Sequence, residues 1–284
     1  MTRLALLDSL DARLREAGID APRRTAEWIV EEVTGAARAA LYARPDATAS
    51  SDARMRAETM LARRIAGEPI QYVLGHTDFY GLRLRVTPDV LIPRPETEEV
   101  VEAALQRLQD RPAPWVLDVG TGSGAIALAI KAQRPDAEVF AVDVSGPALG
   151  VARLNAEQLG HPVLFIEADA LRPAFADAVP PTFDLVISNP PYVPDAERAT
   201  MQREVVDHEP EEALFVSDAD PLSPYRALAG HALRLLRPGG TLVVETHAHH
   251  GPDVAALFAT AGLSDAVCLP DLAGRPRIAI ASAS

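Results

Sequence analysis

A short run of strand-forming residues ends in a turn that carries acceptor and aromatic groups. The apolar stretch Asp184-Leu-Val-Ile-Ser188 leads directly into Asn189-Pro-Pro-Tyr192, a pattern typical of a buried strand that stops at a rigid turn. The two prolines have no backbone N–H, and each favours an extended conformation in the residue before it, so the turn exposes carbonyl oxygens without neighbouring donors. Asn189 adds an amide and Tyr192 an aromatic face. This turn suits a planar ligand that brings N–H groups, although a plain proline-rich loop after a strand has the same pattern.

A glycine-rich segment follows another apolar strand and precedes a helix. It reads Asp118-Val-Gly-Thr-Gly-Ser-Gly124, and glycines at such a position allow a tight turn and close approach of a ligand to the helix N-terminus. Asp143 ends the next strand, where related folds place a carboxylate that accepts hydrogen bonds from ribose hydroxyls. A strand-end cap is the alternative for this residue. Because Ala125 completes a G-x-G-x-x-A pattern, a dinucleotide-binding fold also remains open.

A third strand is followed by further acidic and small residues, Glu167-Ala-Asp-Ala170. We expect the carboxylate of Asp169 at the carboxyl edge of the sheet, where it can accept a hydrogen bond from the exocyclic amine of an adenine. A hydride-transferring enzyme has no such regular need. Three neighbouring strand ends then supply a glycine loop, an acid for ribose and an acid for adenine, at the edge where open α/β sheets bind ligands.

The elements that position these residues alternate between strands and helices. Such a series predicts a mostly parallel, doubly wound α/β sheet. The predicted strands are 115–119, 138–142, 163–166, 183–188 and 241–246, and the predicted helices are 96–110, 125–133, 147–159, 222–236 and 252–261.

The region before this series has a different texture. Residues 1–66 have apolar side chains at helical spacing, whereas Leu82, Leu84 and Val86 alternate with arginines as in a half-exposed strand. We therefore predict three parts: an N-terminal helical domain over residues 1–70, a β-hairpin linker over 71–92 and a catalytic domain over 93–284.

Charge and composition exclude several classes of protein. The 284 residues carry a formal net charge of -13, which argues against a protein whose main task is to grip nucleic-acid phosphates. The single cysteine, Cys268, rules out an internal disulfide framework and a multi-cysteine metal site. His247, His249 and His250 lack the accompanying ligand pattern of a zinc site, so we expect a surface turn and no metal.

No membrane or export signal is evident. Charged residues interrupt the segment Met1–Gly18, so it lacks the apolar centre of a signal peptide, and no uncharged stretch is long enough to span a bilayer. We expect a cytoplasmic protein without a membrane partner.

The combined motifs resemble class I S-adenosylmethionine-dependent methyltransferases with a Rossmann-like sheet. More narrowly, the chain resembles the peptide chain release factor N5-glutamine methyltransferase family (HemK/PrmC) over nearly its full length. The segments that carry the resemblance are Gly67-Glu-Pro-Ile-Gln-Tyr72, Phe79, Val90-Leu-Ile-Pro-Arg-Pro-Glu-Thr-Glu98, Gly120-Thr-Gly-Ser-Gly-Ala-Ile-Ala127, Asn189-Pro-Pro-Tyr192, Glu209-Pro210 and Asp271-Leu-Ala-Gly-Arg-Pro276. The combination of the Val90–Glu98 segment with Asn189–Tyr192 is highly specific, whereas Asn-Pro-Pro-Tyr alone is not.

The resemblance implies a substrate, a cofactor and a set of site residues. The substrate is the glutamine of the Gly-Gly-Gln loop in bacterial class I release factors, gripped with help from the N-terminal domain by a monomeric enzyme that makes no direct contact with nucleic acid. The methyl donor is S-adenosyl-L-methionine, with cofactor-binding residues predicted as Gly120, Thr121, Gly122, Ser123, Gly124, Asp143, Asp169, Ala170 and Asn189. The predicted substrate-binding residues are Asn189, Pro190, Pro191 and Tyr192, of which Asn189, Pro190 and Tyr192 are also predicted to be catalytic.

Some segments depart from the family pattern, and some residues keep two interpretations. The family usually has Glu-Ile-Gly and then Gln after the fifth strand, whereas this chain has Glu245-Thr-His-Ala-His-His250, so no site role is carried into that segment or into 218–224. Arg94 and Glu96 line the site or lock the interdomain loop, or they form a structural ion pair. Asp118 orients the methionine part of the cofactor or supports the glycine loop.

Three other functions compete with this interpretation. A DNA adenine-N6 methyltransferase also uses an Asn/Asp-Pro-Pro-Tyr turn to hold a flipped base, but the acidic balance and the missing basic region argue against it. A non-catalytic S-adenosylmethionine-binding partner protein is disfavoured by the intact Asn189–Tyr192 turn. Asp169 and the same turn disfavour a dehydrogenase.

Overall fold

The computed structural model describes residues 1–180 and 182–284, which form two compact units. One unit comprises Met1–His76 and Gln202–His208, and the other comprises Thr77–Met201 and Glu209–Ser284. The helices are α1 Arg3–Glu16, α2 Pro22–Thr34, α3 Arg38–Ala43, α4 Ser51–Ile65, α5 Ile70–Leu74, α6 Pro95–Arg107, α7 Ala125–Gln133, α8 Gly146–Leu159, α9 Arg203–His208, α10 Ser223–Leu235 and α11 Gly251–Ala261. The strands are β1 His76–Phe79, β2 Leu82–Arg85, β3 Trp115–Val119, β4 Glu138–Asp143, β5 Leu164–Glu167, β6 Phe183–Ser188, β7 Val193–Pro194, β8 Phe215–Val216, β9 Leu236–Glu245, β10 Ser264–Pro270 and β11 Pro276–Ser282.

The first unit is helical, as the spacing of its apolar residues predicts. Side-chain hydroxyl groups cap the N-termini of two of its helices. Thr2 accepts a hydrogen bond from the Ala5 N–H at α1, and Ser50 accepts one from the Ala53 N–H at α4. These bonds satisfy N–H groups of the first turn that have no partner within the helix. One apolar cluster fills the interior, including Leu7, Leu10, Leu14, Ile29, Val30 and Leu61. The unit therefore has its own core.

The second unit is built on a seven-stranded sheet in the order β10-β11-β9-β6-β3-β4-β5. β3, β4, β5, β6 and β9 are parallel, whereas β11 pairs antiparallel with β9 and with β10. Successive residues of β3 enter different apolar clusters: Val116 packs on the side of α6 and α7, and Leu117 packs on the side of α10 and α11. Since both faces are covered, apolar residues point to both sides of the central strands and do not alternate with polar ones, and the polar residues lie mainly near the strand ends.

The predicted class I Rossmann-like α/β fold is confirmed, although several elements differ from their predicted bounds; helix α6, for example, ends at Arg107 and not at residue 110. The predicted strands 115–119 and 183–188 and the helix 125–133 have the predicted bounds. β9 begins at Leu236, five residues before the predicted start, and so includes the Arg237-Pro-Gly-Gly240 bend. β10 and β11 were not predicted. β10 is an edge strand of partly exposed residues, so it lacks the continuous apolar run that identifies a buried strand.

Candidate functional site

The parallel register brings four strand ends to one level. Val119 of β3 pairs with Val142 of β4 on one side and with Ser188 of β6 on the other, and Ser188 in turn pairs with Val244 of β9. The chain leaves β3 toward β4 and β5 and later returns to β6 on the opposite side. This reversal of strand order opens a crevice beyond the carboxyl ends of β3 and β6, where open α/β sheets bind their ligands.

The glycine loop after β3 depends on backbone conformations that other residues rarely adopt. Gly120, Gly122 and Gly124 have φ angles of +74°, +54° and +83°. A Cβ atom at Gly124 would lie 3.1 Å from Leu128 Cδ1 and 3.3 Å from Ala152 Cβ, so glycine here also permits close packing of helices. The loop turns tightly and presents its backbone at the start of α7.

Asp118 supports this loop from below the crevice. Its Oδ2 accepts hydrogen bonds from the Thr121 hydroxyl at 2.6 Å and from the Ala127 N–H at 3.1 Å, while Oδ1 is buried without a hydrogen-bond partner among the described residues. Burial raises the pKa of this carboxyl to about 7. An unpaired oxygen on a buried acid favours a ligand that carries a positive charge or a hydrogen-bond donor.

The two other predicted acids follow β4 and β5. Asp143 accepts hydrogen bonds from the N–H groups of Gly122 at 2.8 Å and Ser145 at 2.9 Å, and burial raises its pKa. Asp169 accepts from the Leu171 N–H at 2.8 Å and pairs with Arg172 at 3.1 Å. Each carboxylate oxygen can accept a second hydrogen bond, so both acids retain capacity for a ligand.

These residues surround a cavity of about 220 Å³ within the second unit. Four acidic residues contribute to its walls, and no Lys, Arg or His does so among the described residues. The lining residues are Asp89, Val90, Leu91, Val119, Gly120, Gly122, Val142, Asp143, Val144, Ser145, Ala148, Ala168, Asp169, Ala170, Leu171, Ser188, Asn189, Pro190, Pro191, Pro210, Glu212, Ala213, Pro224 and Leu228. This charge distribution opposes a pyrophosphate and favours a cationic ligand.

The turn after β6 is held by a chain of buried hydrogen bonds. The Asn189 amide nitrogen donates to Thr97 Oγ1 at 3.2 Å, and the Thr97 hydroxyl donates to Glu245 Oε2 at 2.6 Å. Thr97 lies in the first turn of α6, and Glu245 ends β9. Their relative exposures are only 4% and 1%, so water does not compete for these contacts.

Tyr192 is hydrogen-bonded to the same carboxylate, that of Glu245. Its hydroxyl donates to Glu245 Oε1 at 3.0 Å, and burial raises its pKa above the usual range. Burial also raises the pKa of Glu245, although hydrogen bonds from Thr97 and Tyr192 oppose the shift. The ring of His247 lies 6.0 Å from that of Tyr192. Glu245 therefore holds Tyr192 directly and Asn189 through Thr97.

The predicted site residues divide into two groups. Gly120, Gly122, Asp143, Asp169, Ala170, Asn189, Pro190 and Pro191 line the cavity. The other four, Thr121, Ser123, Gly124 and Tyr192, are not part of its lining: Thr121 bonds to Asp118, and the Ser123 carbonyl accepts from Asn155. Arg94 forms an ion pair with Glu209 at 2.5 Å, and Glu96 lies 3.7 Å from Arg275.

Several residues in and around the site were not predicted from the sequence. Two further stretches contribute to the cavity wall, Asp89, Val90 and Leu91 in one and Pro210, Glu212 and Ala213 in the other. Of these, only Val90, Leu91 and Pro210 lie in motifs quoted for the family resemblance, where they had no stated role. Glu245 was set aside because the segment that follows it departs from the family pattern. Its position at the end of an apolar strand beside β6 is the signal that could have identified it.

Comparison with known proteins adds an independent line of evidence. A family model described as the PrmC N-terminal domain matches residues 5–75, and one described as the methyltransferase small domain matches residues 98–213. A release factor glutamine methyltransferase of Chlorobaculum tepidum is 42% identical over 260 residues, which cover 89% of this chain and 88% of that protein. This chain belongs to the release factor glutamine methyltransferase family. Another member, from Streptomyces coelicolor, is 43% identical over 281 residues and covers 98% of this chain and 97% of its own length.

A solved structure agrees on the fold. A methyltransferase from Pyrococcus furiosus aligns with a TM-score of 0.51 at 17% identity, over 79% of this chain and 98% of that one. As a member of the release factor glutamine methyltransferase family, the chain is a methyltransferase that uses S-adenosyl-L-methionine.

The residues of the cavity fit this cofactor. Its sulfonium is a cation and its methionine part carries an ammonium group, which match the acidic wall formed by Asp89, Asp143, Asp169 and Glu212. Asp118, with its unpaired Oδ1, lies outside the lining but supports the glycine loop that forms part of it. Among the described residues, no three His, Cys, Asp or Glu side chains are arranged to hold a metal ion, and no helix has the length and apolar character needed to cross a membrane.

Proposed function

We propose that this protein methylates the N5 amide of the glutamine in the Gly-Gly-Gln loop of class I peptide chain release factors. The observation that carries the proposal is the Asn189-Pro-Pro-Tyr192 turn, of which Asn189, Pro190 and Pro191 line an acidic cavity. The names of the relatives, release factor glutamine methyltransferase, supply the substrate class.

The cofactor-binding assignments belong to this proposal. The backbone of Gly120, Thr121, Gly122, Ser123 and Gly124 would hold the methionine end, with Thr121, Ser123 and Gly124 acting through the shape of the loop. Asp143 would accept from the ribose hydroxyls, and Asp169 with Ala170 would border the adenine. When bound, the cofactor supplies an electrophilic methyl group on a cationic sulfur.

The turn must aim a weak nucleophile, because an amide nitrogen delocalises its lone pair into the carbonyl. Oδ1 of Asn189 and the carbonyl oxygen of Pro190 accept the two N–H bonds of the glutamine amide and direct its nitrogen toward the methyl group. Tyr192 packs against the amide plane, and Pro191 keeps the turn rigid without adding a donor. Orientation and exclusion of water are effects that contribute several kcal/mol, up to about 7–11 kcal/mol in the best cases.

No dedicated base is required in this mechanism. The nitrogen becomes cationic on methylation, and its proton is then acidic enough to pass to water.

We further propose a cytoplasmic, monomeric enzyme that makes no direct contact with nucleic acid, consistent with its net charge of -13. Size-exclusion chromatography with light scattering tests the monomer.

The deciding experiment uses the purified protein, labelled S-adenosyl-L-methionine and a class I release factor, with the modified residue mapped by mass spectrometry. We expect the label on the glutamine of the Gly-Gly-Gln loop. Label on DNA, or on another protein with the release factor unmodified, would overturn the substrate assignment.

Asn189→Ala tests the role of the turn. Removing the amide takes away one acceptor but leaves the glycine loop and both acids in place, so we expect cofactor affinity within a few-fold of the wild type and a loss of kcat of about a hundredfold or more. Isothermal titration and single-turnover methylation measure the two quantities. Wild-type turnover by this variant would contradict the proposed orientation of the amide.

A further inference from the structure

The relay that joins Asn189, Thr97 and Glu245 has a defined direction. A carboxylate only accepts hydrogen bonds, and a threonine hydroxyl has a single proton. Because the Thr97 hydroxyl donates to Glu245 at 2.6 Å, its oxygen can only accept from Asn189. The 3.2 Å contact to Asn189 must therefore come from the amide NH2.

This direction decides which end of the Asn189 amide faces the substrate. Since the NH2 group is turned toward Thr97, Oδ1 is turned away from it, and Oδ1 makes no hydrogen bond with any described residue. A flipped amide would set its oxygen against the Thr97 oxygen and would leave both groups without a donor in a buried position. Leaving a buried polar group unpaired disfavours that arrangement by about tenfold to a hundredfold.

The same carboxylate also holds the other side of the turn. Glu245 Oε1 accepts from the Tyr192 hydroxyl at 3.0 Å. The parallel pairing of Ser188 with Val244 places Asn189, which follows β6, at the level of Glu245, the last residue of β9. Glu245 thus contacts both Tyr192 and, through Thr97, Asn189, with each of its oxygens used once.

We infer that Thr97 and Glu245 are positioning residues that lock Asn189 with its oxygen toward the substrate, so that the site accepts an amide NH2 and rejects a carboxylate. This inference rests on the proposed function. A glutamate side chain in place of glutamine would set its oxygens against two acceptors, Asn189 Oδ1 and the Pro190 carbonyl. Once the lock is removed, the Asn189 amide can turn its NH2 group to such a carboxylate.

Thr97→Val tests the lock because valine keeps the branched shape and lacks the hydroxyl. The full-length enzyme is assayed with a class I release factor as substrate and with the glutamine-to-glutamate variant of that release factor as competitive inhibitor. For Thr97→Val we expect kcat to fall about tenfold to a hundredfold, cofactor affinity to stay within about twofold, and the inhibitor to bind at least about fivefold more tightly than to the wild type.

Three variants serve as comparisons. Thr97→Ser restores a hydroxyl and should recover most of kcat and the rejection of the glutamate variant. Glu245→Gln replaces one acceptor oxygen with NH2, so one of the two hydroxyl donors loses its partner and discrimination should weaken even if Thr97→Val does not fold. Thr260→Val is a matched substitution on α11, where the hydroxyl only bonds to its own helix at Ala256, and should leave both readouts unchanged.

The possible outcomes separate this inference from the proposed function. If the wild type leaves the release factor unmethylated, the proposed function fails. If the wild type methylates it and both Thr97→Val and Glu245→Gln still reject the glutamate variant as strongly, the lock is wrong. The inference would also be overturned by a third outcome: Thr97→Val loses kcat, Thr97→Ser does not restore it, and inhibitor binding is unchanged in both.

Discussion

At the scale of single residues, one buried carboxylate holds both ends of the Asn189–Tyr192 turn. Glu245 accepts from both Thr97 and Tyr192, and only while it is ionised is it purely an acceptor. A protonated Glu245 could donate to Thr97, and the Thr97 hydroxyl would then be free to donate to Asn189. Protonation would thereby reverse the relay and turn the Asn189 amide the wrong way for a substrate NH2.

This reversal predicts the pH dependence of kcat. Burial and the charge of Glu96 raise the pKa of Glu245, whereas the hydroxyls of Thr97 and Tyr192 and the charge of Arg277 lower it, and the net shift is upward. Activity should therefore be present at high pH and lost as the pH falls through a value above the ordinary glutamate pKa of about 4.3. A pH profile of kcat at saturating substrate measures this, and Glu245→Gln should lack the acid limb. An identical acid limb in that variant would assign it to another group.

At the scale of elements, a second carboxylate joins two segments of the cavity wall. Glu209 accepts from the Ile92 N–H at 3.0 Å and from Arg94 at 2.5 Å. The residues next to these partners, Leu91 and Pro210, line the cavity. The ion pair therefore connects the segment before α6 with the segment that follows α9.

Breaking this pair from the arginine side should destabilise the second unit. Glu209 is 4% exposed, so Arg94→Met leaves a buried charge without its main partner. Such losses cost about 3–5 kcal/mol when both partners are buried, and we expect about 2 kcal/mol because the Arg94 side chain is 31% exposed. Urea unfolding measures the change. In the Glu209→Gln background the same substitution should cost less than half as much, and equal costs in both backgrounds would rule out the pair as the cause.

Local sequence patterns were enough to predict several strands and helices, but they could not predict the contacts between distant residues. β3, α7 and β6 were predicted with their bounds because apolar runs, glycines and prolines within each segment specify them. The order of those segments also predicts the crevice at the carboxyl ends of the strands and the position of the glycine loop. The relay could not be predicted in this way, because Thr97 and Glu245 are 148 residues apart and meet only through the packing of α6 against β9. Packing between segments so far apart in the sequence leaves no local pattern in either of them.

At the scale of the whole molecule, the acidic character of the chain also appears in its cavity. The net charge is -13, and the described lining includes Asp89, Asp143, Asp169 and Glu212 without a basic residue. This field attracts the sulfonium of the methyl donor and gives no such advantage to the thioether product, which lacks that charge.

Salt should therefore reduce the preference of the protein for the methyl donor over its thioether product. The screening length falls from about 30 Å at 0.01 M salt to about 3 Å at 1 M, so the ratio of the two affinities should move toward unity across this range in isothermal titrations. Glu212→Gln should lower the ratio at low salt, whereas Asp265→Asn on β10, outside the cavity lining, should not. A ratio independent of salt would show that the acidic wall does not act through its charge.

The register of β6 with β9 also bears on when the site matures during synthesis. The residues that line the cavity end at Leu228, whereas Glu245 is synthesised 53 residues after Tyr192. β9 must also take its place between β6 and β11 in the sheet. A nascent chain that has emerged only as far as α10 contains every described residue of the cavity lining but lacks the carboxylate that accepts from Thr97 and Tyr192. Under the proposed roles, the substrate half of the site is therefore completed after the cofactor half as the chain leaves the ribosome.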